Sequence, residues 1–297
     1  MKVFIIILTL YFCFSFNSFS QKDSLKGIQT ETFLHPTDGF TAYTLKKNEL
    51  VYNQSPFTFP LPSWAWWGIT DKITMEIDLL PLIGGLFQKP HLPVPSLNFR
   101  FKLYEQKGII PSIAFETMFQ HLWNDVYQSE PPNPIVMRKA GSSSWYNRFN
   151  FSWQLSPRFY THFSVGATYG EKIFYSNNDS LNLKEKFYPS SFTPDFNLSF
   201  DYRMKPWISL NGTLSYGTTF VYLDNIPHKQ QISYGFRVAP FYKSKYGFLR
   251  TLRAEFIGFY IYLPDVDAKT EFLLPIFPYL YWQWTVKSKK NKHKNEN

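Results

Sequence analysis

The sequence predicts an all-β chain, an antiparallel transmembrane β-barrel of about twelve strands preceded by a cleaved signal peptide. Three observations lead to that class. From Phe149 to Leu155 every odd position is apolar (Phe149, Phe151, Trp153, Leu155) and every even one polar (Asn150, Ser152, Gln154), a period of two that means an extended strand with one apolar and one polar face. The same alternation returns in Ile73–Leu79 and Phe196–Arg203, setting Asp and Arg on one face against Phe, Leu and Tyr on the other. Aromatic residues make up 20% of the 297-residue chain, yet its mean hydropathy is −0.27. That balance fits a barrel, whose polar lumen offsets its apolar belt.

The N-terminus opens on Met1-Lys2, continues apolar from Val3 to Phe16, and places Ser18 and Ser20 where a signal peptidase reads small residues. This pattern is a secretory signal over residues 1–20, cut before Gln21. The apolar run is shorter than the roughly 20 residues a spanning helix needs. Cys13 lies inside it and follows Tyr11-Phe12, where a lipoprotein signal would carry small residues. The mature chain is therefore expected to lack cysteine, and with it disulfides, thiolate nucleophiles and Cys-based metal sites. Residues 21–47 are polar and irregular, with turn formers at Pro36–Gly39. They read as a periplasmic lead-in or an N-terminal segment folding back into the barrel mouth.

The barrel proper is expected over 48–286, with strands at 48–56, 62–69, 72–82, 94–105, 109–121, 145–155, 158–170, 193–204, 206–220, 230–242, 247–262 and 270–286. Each is near or above the roughly 9–11 residues that cross a bilayer at a tilt. Tight connections at Thr70-Asp71, Glu105–Gly108, Ser156-Pro157, Lys205-Pro206 and Ser244–Gly247 alternate with longer ones at 57–61, 83–93, 122–144, 171–192, 221–229 and 263–269. Short periplasmic turns and long outer loops alternate in this way in barrels with an even strand number. Pro111, Pro240, Pro275 and Pro278 fall in or near these strands and are expected at strand ends or bulges, since each lacks a ladder donor. A break at Pro278 would prevent closure. After Val286 a basic run, residues 287–297, carries about half of the net charge of +9 that remains once Lys2 is removed. It reads as a disordered periplasmic tail, and the charge distribution argues against a nucleic-acid partner.

Following parity along each strand gives a lumen set. Its acidic members are Glu76, Asp78, Glu116, Asp195, Asp201 and Glu255, and its basic members are Arg100, Lys102, Arg148, Arg203, Arg237 and Arg253. His162 and Ser164 fall on the same side. So many charges in a dry core would cost several kcal/mol per ion, whereas a lumen can pair and hydrate them. The opposite parity holds Phe99, Phe101, Phe115, Phe149, Phe151, Leu198 and Phe200. Trp64, Trp66, Trp67, Trp145, Tyr202, Trp207, Tyr216, Tyr260, Tyr281 and Trp284 gather near strand ends as interfacial girdles.

Thr41–Glu49 resembles the segment that often precedes the first strand in the outer-membrane β-barrel proteins of Bacteroidota, and Trp67–Ile73 resembles their first periplasmic turn. The resemblance implies a Gram-negative bacterial outer membrane and a porin-like scaffold, and it carries no active site to transfer. Many such barrels end on an aromatic residue that the assembly machinery reads. Here the basic tail follows Val286, so an internal signal near Trp282 and Trp284 would have to serve.

One string looks catalytic. In Thr161–Gly166, His162 and Ser164 lie on one strand face, so an imidazole could activate a hydroxyl. The spacing is similar to the His-x-Ser element of outer-membrane phospholipases and lipid A deacylases. Those enzymes follow the Ser with Asn, where this chain has Val165, and their sites face lipid, where this chain places Phe163 and Val165. Pore lining is the expected role of His162 and Ser164. Glu76 and Asp78 share a face, but nearby Arg100, Lys102 and Arg203 make them counter-ions before they make them an acid/base pair. The six histidines show no zinc spacing, and the chain has no phosphate-cradling loop. His121, Trp123, Asp125 and Tyr127 fall in an expected outer loop where a ligand could bind.

The resulting expectation is a non-enzymatic barrel without cofactor, embedded in outer-membrane lipid, acting as a narrow channel or binder for small polar solutes. Two alternatives are a non-catalytic barrel that partners another envelope component and a lipid-modifying hydrolase using His162 and Ser164.

Overall fold

Residues 39–56, 62–79, 96–128, 136–176, 184–185, 191–217, 230–263 and 270–286 are described in the computed structural model. The expected signal peptide, the remainder of the lead-in and the basic tail lie outside them. The strands are β1 (Leu50–Gln54), β2 (Trp64–Thr70), β3 (Ile73–Asp78), β4 (Ser96–Tyr104), β5 (Ser112–Gln128), β6 (Val136–Ser156) and β7 (Phe159–Ser176). There follow the two-residue β8 (Lys184–Glu185), β9 (Ser191–Lys205), β10 (Ile208–Tyr216), β11 (Gln230–Val238), the one-turn helix α1 (Gly247–Arg250), β12 (Leu252–Leu263) and β13 (Thr270–Val286). Each strand except β8 pairs antiparallel with its chain neighbours, β7 bridges to β9, and β1 pairs with β13 from Leu50↔Val286 to Gln54↔Trp282. Twelve strands thus close into an antiparallel barrel, with β8 attached to the edge of β7 at Phe174 and Tyr175.

Closure survives the prolines. The ladder between β12 and β13 shifts register between Ile257 and Phe259, which places an extra residue on β13 beside Pro275. A bulge is where a strand tolerates a missing donor. Gly258 is required there, because a Cβ would lie 2.1 Å from the Pro275 carbonyl oxygen. Pro278 sits opposite Phe256 within the continuous ladder, and β13 runs on to meet β1. Pro111 and Pro240 fall just outside β5 and β11.

Several boundaries differ from the sequence expectation. β5, β6 and β7 run further than expected, so the ladder continues to Gln128↔Val136 and Arg138↔Ser176. His121, Trp123, Asp125 and Tyr127 therefore belong to a strand and not to an outer loop. Residues 122–144 lack strict alternation and contain Gly141-Ser142-Ser143-Ser144, which reads locally as loop; ladder bonds to both neighbours override that preference. At the other end β11 stops at Val238, and α1 with its flanking turns occupies 239–251, so the connection expected at Ser244–Gly247 is longer and takes in residues 239–242 and 248–251, where strand was expected.

The outer face is a belt of rings that runs along strands and across them: Phe99 and Phe101 on β4, Phe115 on β5 and Phe149 on β6 follow one another at centroid separations of 6.5, 6.4 and 5.4 Å. Phe149 remains 46% exposed, and Leu198, Phe200, Leu210 and Leu214 are likewise open to the surroundings. An apolar surface that girdles the whole barrel is the kind that faces lipid. The girdle expectation needs three corrections. Trp66 and Tyr281 are buried, and half-buried Trp64 packs with Trp66 against Leu45 and Val51. All three stand on the inward parity of their strands. Large rings near strand ends look alike in sequence whichever side they take.

Candidate functional site

The interior is built from the polar parity of β3 to β12 and from a segment of the chain itself. Residues 39–48 run lengthwise inside the barrel. Phe40 lies at the level of Arg148, Asp195 and Tyr216, Leu45 at the level of Thr74, and Asn48 at the β2–β3 turn. Phe40, Thr41, Ala42 and Leu45 are buried. The expected lead-in thus ends as a plug, and Asn48, at a positive φ of 59°, turns it out of the lumen and into β1.

Among the described residues no ladder strand pairs with the plug within the lumen; wall side chains satisfy much of its backbone. The Ser152 hydroxyl accepts from the Ala42 N–H at 2.8 Å, and the Thr74 hydroxyl accepts from the Leu45 N–H at 2.8 Å. Arg100 Nη1 donates to Thr41 Oγ1 and to the Tyr43 carbonyl at 3.3 and 3.1 Å, and Asn150 Nδ2 donates to the Thr41 carbonyl at 3.3 Å. At the exit the Lys47 N–H donates to the Asp71 carboxylate at 2.9 Å and the Asn48 N–H to the Gly68 carbonyl at 2.7 Å. Gly68 is needed for that approach, since a Cβ would stand 2.0 Å from the Lys46 carbonyl oxygen. Packing completes the grip. Phe40 joins Met118 and Tyr146 with its ring 3.7 Å beneath the Arg148 guanidinium, and Leu45 joins Val51 and Trp66. Each such buried side chain contributes about 1.5–3 kcal/mol, and the stacked cation adds to that.

The same wall carries a tight charge network. Glu116 accepts from Arg100 Nε at 2.9 Å, from Asn150 at 2.6 Å and from Asn98 at 2.8 Å, and Asn98 also donates to Glu76 at 3.1 Å. Arg100 therefore neutralises Glu116 with one edge of its guanidinium and holds the plug with another. Across the lumen, Arg203 pairs with Asp201 at 3.1 Å and lies 4.6 Å from the Tyr160 ring. Arg237 pairs with Glu255 at 2.8 Å, Thr168 donates to Asp195, and Gln231 donates to Ser233 at 2.7 Å.

Of the sequence-derived set, Glu76, Asp78, Arg100, Glu116, Arg148, Asp195, Asp201, Arg203, Arg237, Arg253, Glu255, His162 and Ser164 are all buried, and Lys102 is half-buried at the short-turn end of β4. The fold gathers Glu76, Arg100 and Glu116 through Asn98. It makes separate pairs of Asp201 with Arg203 and of Arg237 with Glu255. His162 Nδ1 shares a hydrogen bond of 2.8 Å with Ser152 on the adjacent strand, and the Tyr43 ring stands edge-on to the imidazole at 5.9 Å. The Ser152–His162 pair is buried, with plug residues Ala42 and Tyr43 against it.

Sequence reasoning missed Ser152, Thr74 and Asn98, which look like ordinary polar positions until the register places them. Ser152 faces His162 because the β6–β7 hairpin carries a register shift after Gln154. The plug did leave a trace, because Phe40, Ala42 and Leu45 interrupt a polar stretch too short to cross a membrane. Beside Phe40 a narrow crevice runs between Arg148, Ser164, Asp195, Asn197 and Tyr216.

No protein-family model matches the chain. No curated protein matches it. Among solved structures the chain is similar to one described as the CymD monoaromatic hydrocarbon channel, with 11% identity over 81% of this chain and 87% of that one at a TM-score of 0.29. A likeness at that level carries no argument here, and the barrel assignment stands on the closed ladder.

Proposed function

We propose that this protein is an outer-membrane barrel of a Gram-negative cell, of the Bacteroidota type, that passes small polar solutes through a narrow mixed-charge lumen closed at rest by residues 39–48. The observation that carries the reading is the double use of the wall. Arg100 and Asn150 line the lumen, pair with Glu116 and hold the backbone of Thr41 and Tyr43. Barrels of about eight strands are filled by side chains and those of 16 or more leave an aqueous channel, so twelve strands suit a narrow passage. Selectivity is set by Arg100, Lys102, Arg203, Arg237 and Arg253 against Glu76, Asp78, Asp195 and Glu255, because rings of opposed charge rank solutes by sign and size. The role is non-enzymatic and needs no cofactor.

Planar-bilayer recording tests it. The purified wild-type chain is expected to show rare, brief openings, and Gly68→Ala, which displaces the foot of the plug, is expected to show sustained current. Absence of current in both at every voltage and salt overturns the channel. Equal large currents in both overturn the closed resting state.

A further inference from the structure

The five turns at the plug-exit end of the barrel carry a charge pattern that the lumen does not use. Counting Lys205, the last residue of β9, these turns hold Lys72, Lys107, Arg158, Lys205, Lys243, Lys245 and Arg250 against only Asp71 and Glu105. The Asp71 carboxylate is already engaged by the Lys47 N–H. Every turn thus contributes at least one cation, and the cations ring the barrel.

Their surroundings are those of a bilayer boundary. Lys107 lies 6.0 Å from the Tyr104 ring, Lys205 5.7 Å from Trp207 and Lys243 5.5 Å from Tyr242, each at the end of a strand or just beyond it. Long basic side chains lay their stems along apolar surface and lift the ammonium towards headgroups, while Trp and Tyr rings occupy the same level. Bare apolar side chains stand on the same turns: Ile109 is 92% exposed, Tyr246 74% and Phe248 56%. Isolated in water these would be unfavourable; at the acyl boundary they are buried.

We propose that this rim binds the anionic phospholipid headgroups of the leaflet it sits in, with the lysines contacting phosphate and the exposed rings and Ile109 dipping beneath it. A leaflet is the occupant that the distribution fits. It surrounds the barrel and meets all five turns at once, whereas a protein partner would favour one side. The inference rests on the membrane-spanning part of the functional reading and not on the passage of solute. It assigns the rim a lipid class, the acidic phosphodiester, and a purpose, fixing the depth and tilt of a barrel whose short-end strands finish close to the interface.

The test uses the full chain inserted into vesicles of phosphatidylcholine alone or mixed with phosphatidylglycerol, followed by native mass spectrometry of the released protein. Insertion itself is scored first, by protease protection and by the heat-dependent gel mobility of a folded barrel. Failure to insert into either vesicle overturns the spanning reading and, with it, this inference. Given insertion, the wild type is expected to retain phosphatidylglycerol over phosphatidylcholine, with the preference eroding at high salt. The triple variant Lys107→Gln, Lys205→Gln, Lys243→Gln is expected to lose preference by up to about fivefold for each charge removed. The triple arginine variant at the same positions is expected to keep it, which separates charge from folding. Equal retention of the two lipids, or an undiminished preference in the glutamine variant, overturns the proposal while leaving the barrel intact.

Discussion

The two walls of the lumen are written in the same alternating code and do different things. The β3–β7 wall presents Glu76, Asn98, Arg100, Glu116 and Asn150, which join into one network, and Arg100, Asn150 and the separate Ser152 hold the backbone of residues 41–43. The β9–β12 wall presents Asp201, Arg203, Arg237 and Glu255, which form local pairs, one along a strand and one across a ladder. Charge content is therefore a poor guide to a wall's role. What matters is whether its donors reach another piece of chain. On the first wall removing Arg100, Asn150 or Ser152 disturbs both the barrel and the plug, and on the second removing Arg237 or Glu255 disturbs an ion pair across one ladder.

Five variants break or sharpen that contrast. Arg100→Ala is expected to have the largest effect, about 3–5 kcal/mol, because it leaves Glu116 charged and buried without its partner. Arg237→Ala should cost less, since Arg237 pairs with Glu255 across one ladder whereas Arg100 both pairs with Glu116 and holds Thr41 and Tyr43. Urea unfolding of the two proteins in the same detergent decides the order, and equal losses would remove the distinction between the walls.

Gly68→Ala comes next, at up to about 3 kcal/mol, since the new methyl must displace a backbone carbonyl and not a pliable side chain. A cysteine placed at Ala42 reports the consequence. Its labelling by a small maleimide should be slow in the wild-type background and fast beside Gly68→Ala. Uniform labelling would show that the foot of the plug does not control its seat.

Ser152→Ala is expected to cost about 1–2 kcal/mol by leaving the Ala42 N–H without its acceptor. Labelling at position 42 should rise less than with Gly68→Ala, and a rise as large would move the main anchor from the exit to the middle of the plug.

Ser164→Ala should be the mildest, under about 1 kcal/mol, with channel currents unchanged. Purified wild-type protein and this variant should release equal, background amounts of fatty acid from phospholipid. Release by the wild type that disappears with Ser164→Ala would restore the hydrolase reading.

Much of the fold was legible in the chain because side-chain direction in a strand has a period of two, and a boundary between lipid and a polar interior writes that period into composition. Phe149 to Leu155 alone tells which residues share a face, and parity carried through the other strands separated Arg100, Glu116 and Arg203 from Phe99, Phe115 and Phe200. Alternation fails where both sides are aromatic. That is why Trp64, Trp66 and Tyr281 looked like girdle residues and lie inside, packed near Leu45 and Val51 or buried on β13.

By itself, then, the sequence determined the barrel class, the strand number and the polar parity of the wall, all of which follow from local periodicity. Tertiary structure alone decided which wall residues meet. Ser152 faces His162 because of a register shift in one hairpin, and Arg100 reaches Tyr43 across 57 positions of sequence. It also decided the fate of residues 39–48, whose polar backbone leaves no periodic signature. Those residues find their place only when Thr74, Arg100, Asn150 and Ser152, drawn from three different strands, converge on one strip of lumen. Periodicity reports the face a residue takes, and only closure of the barrel brings opposite faces into contact.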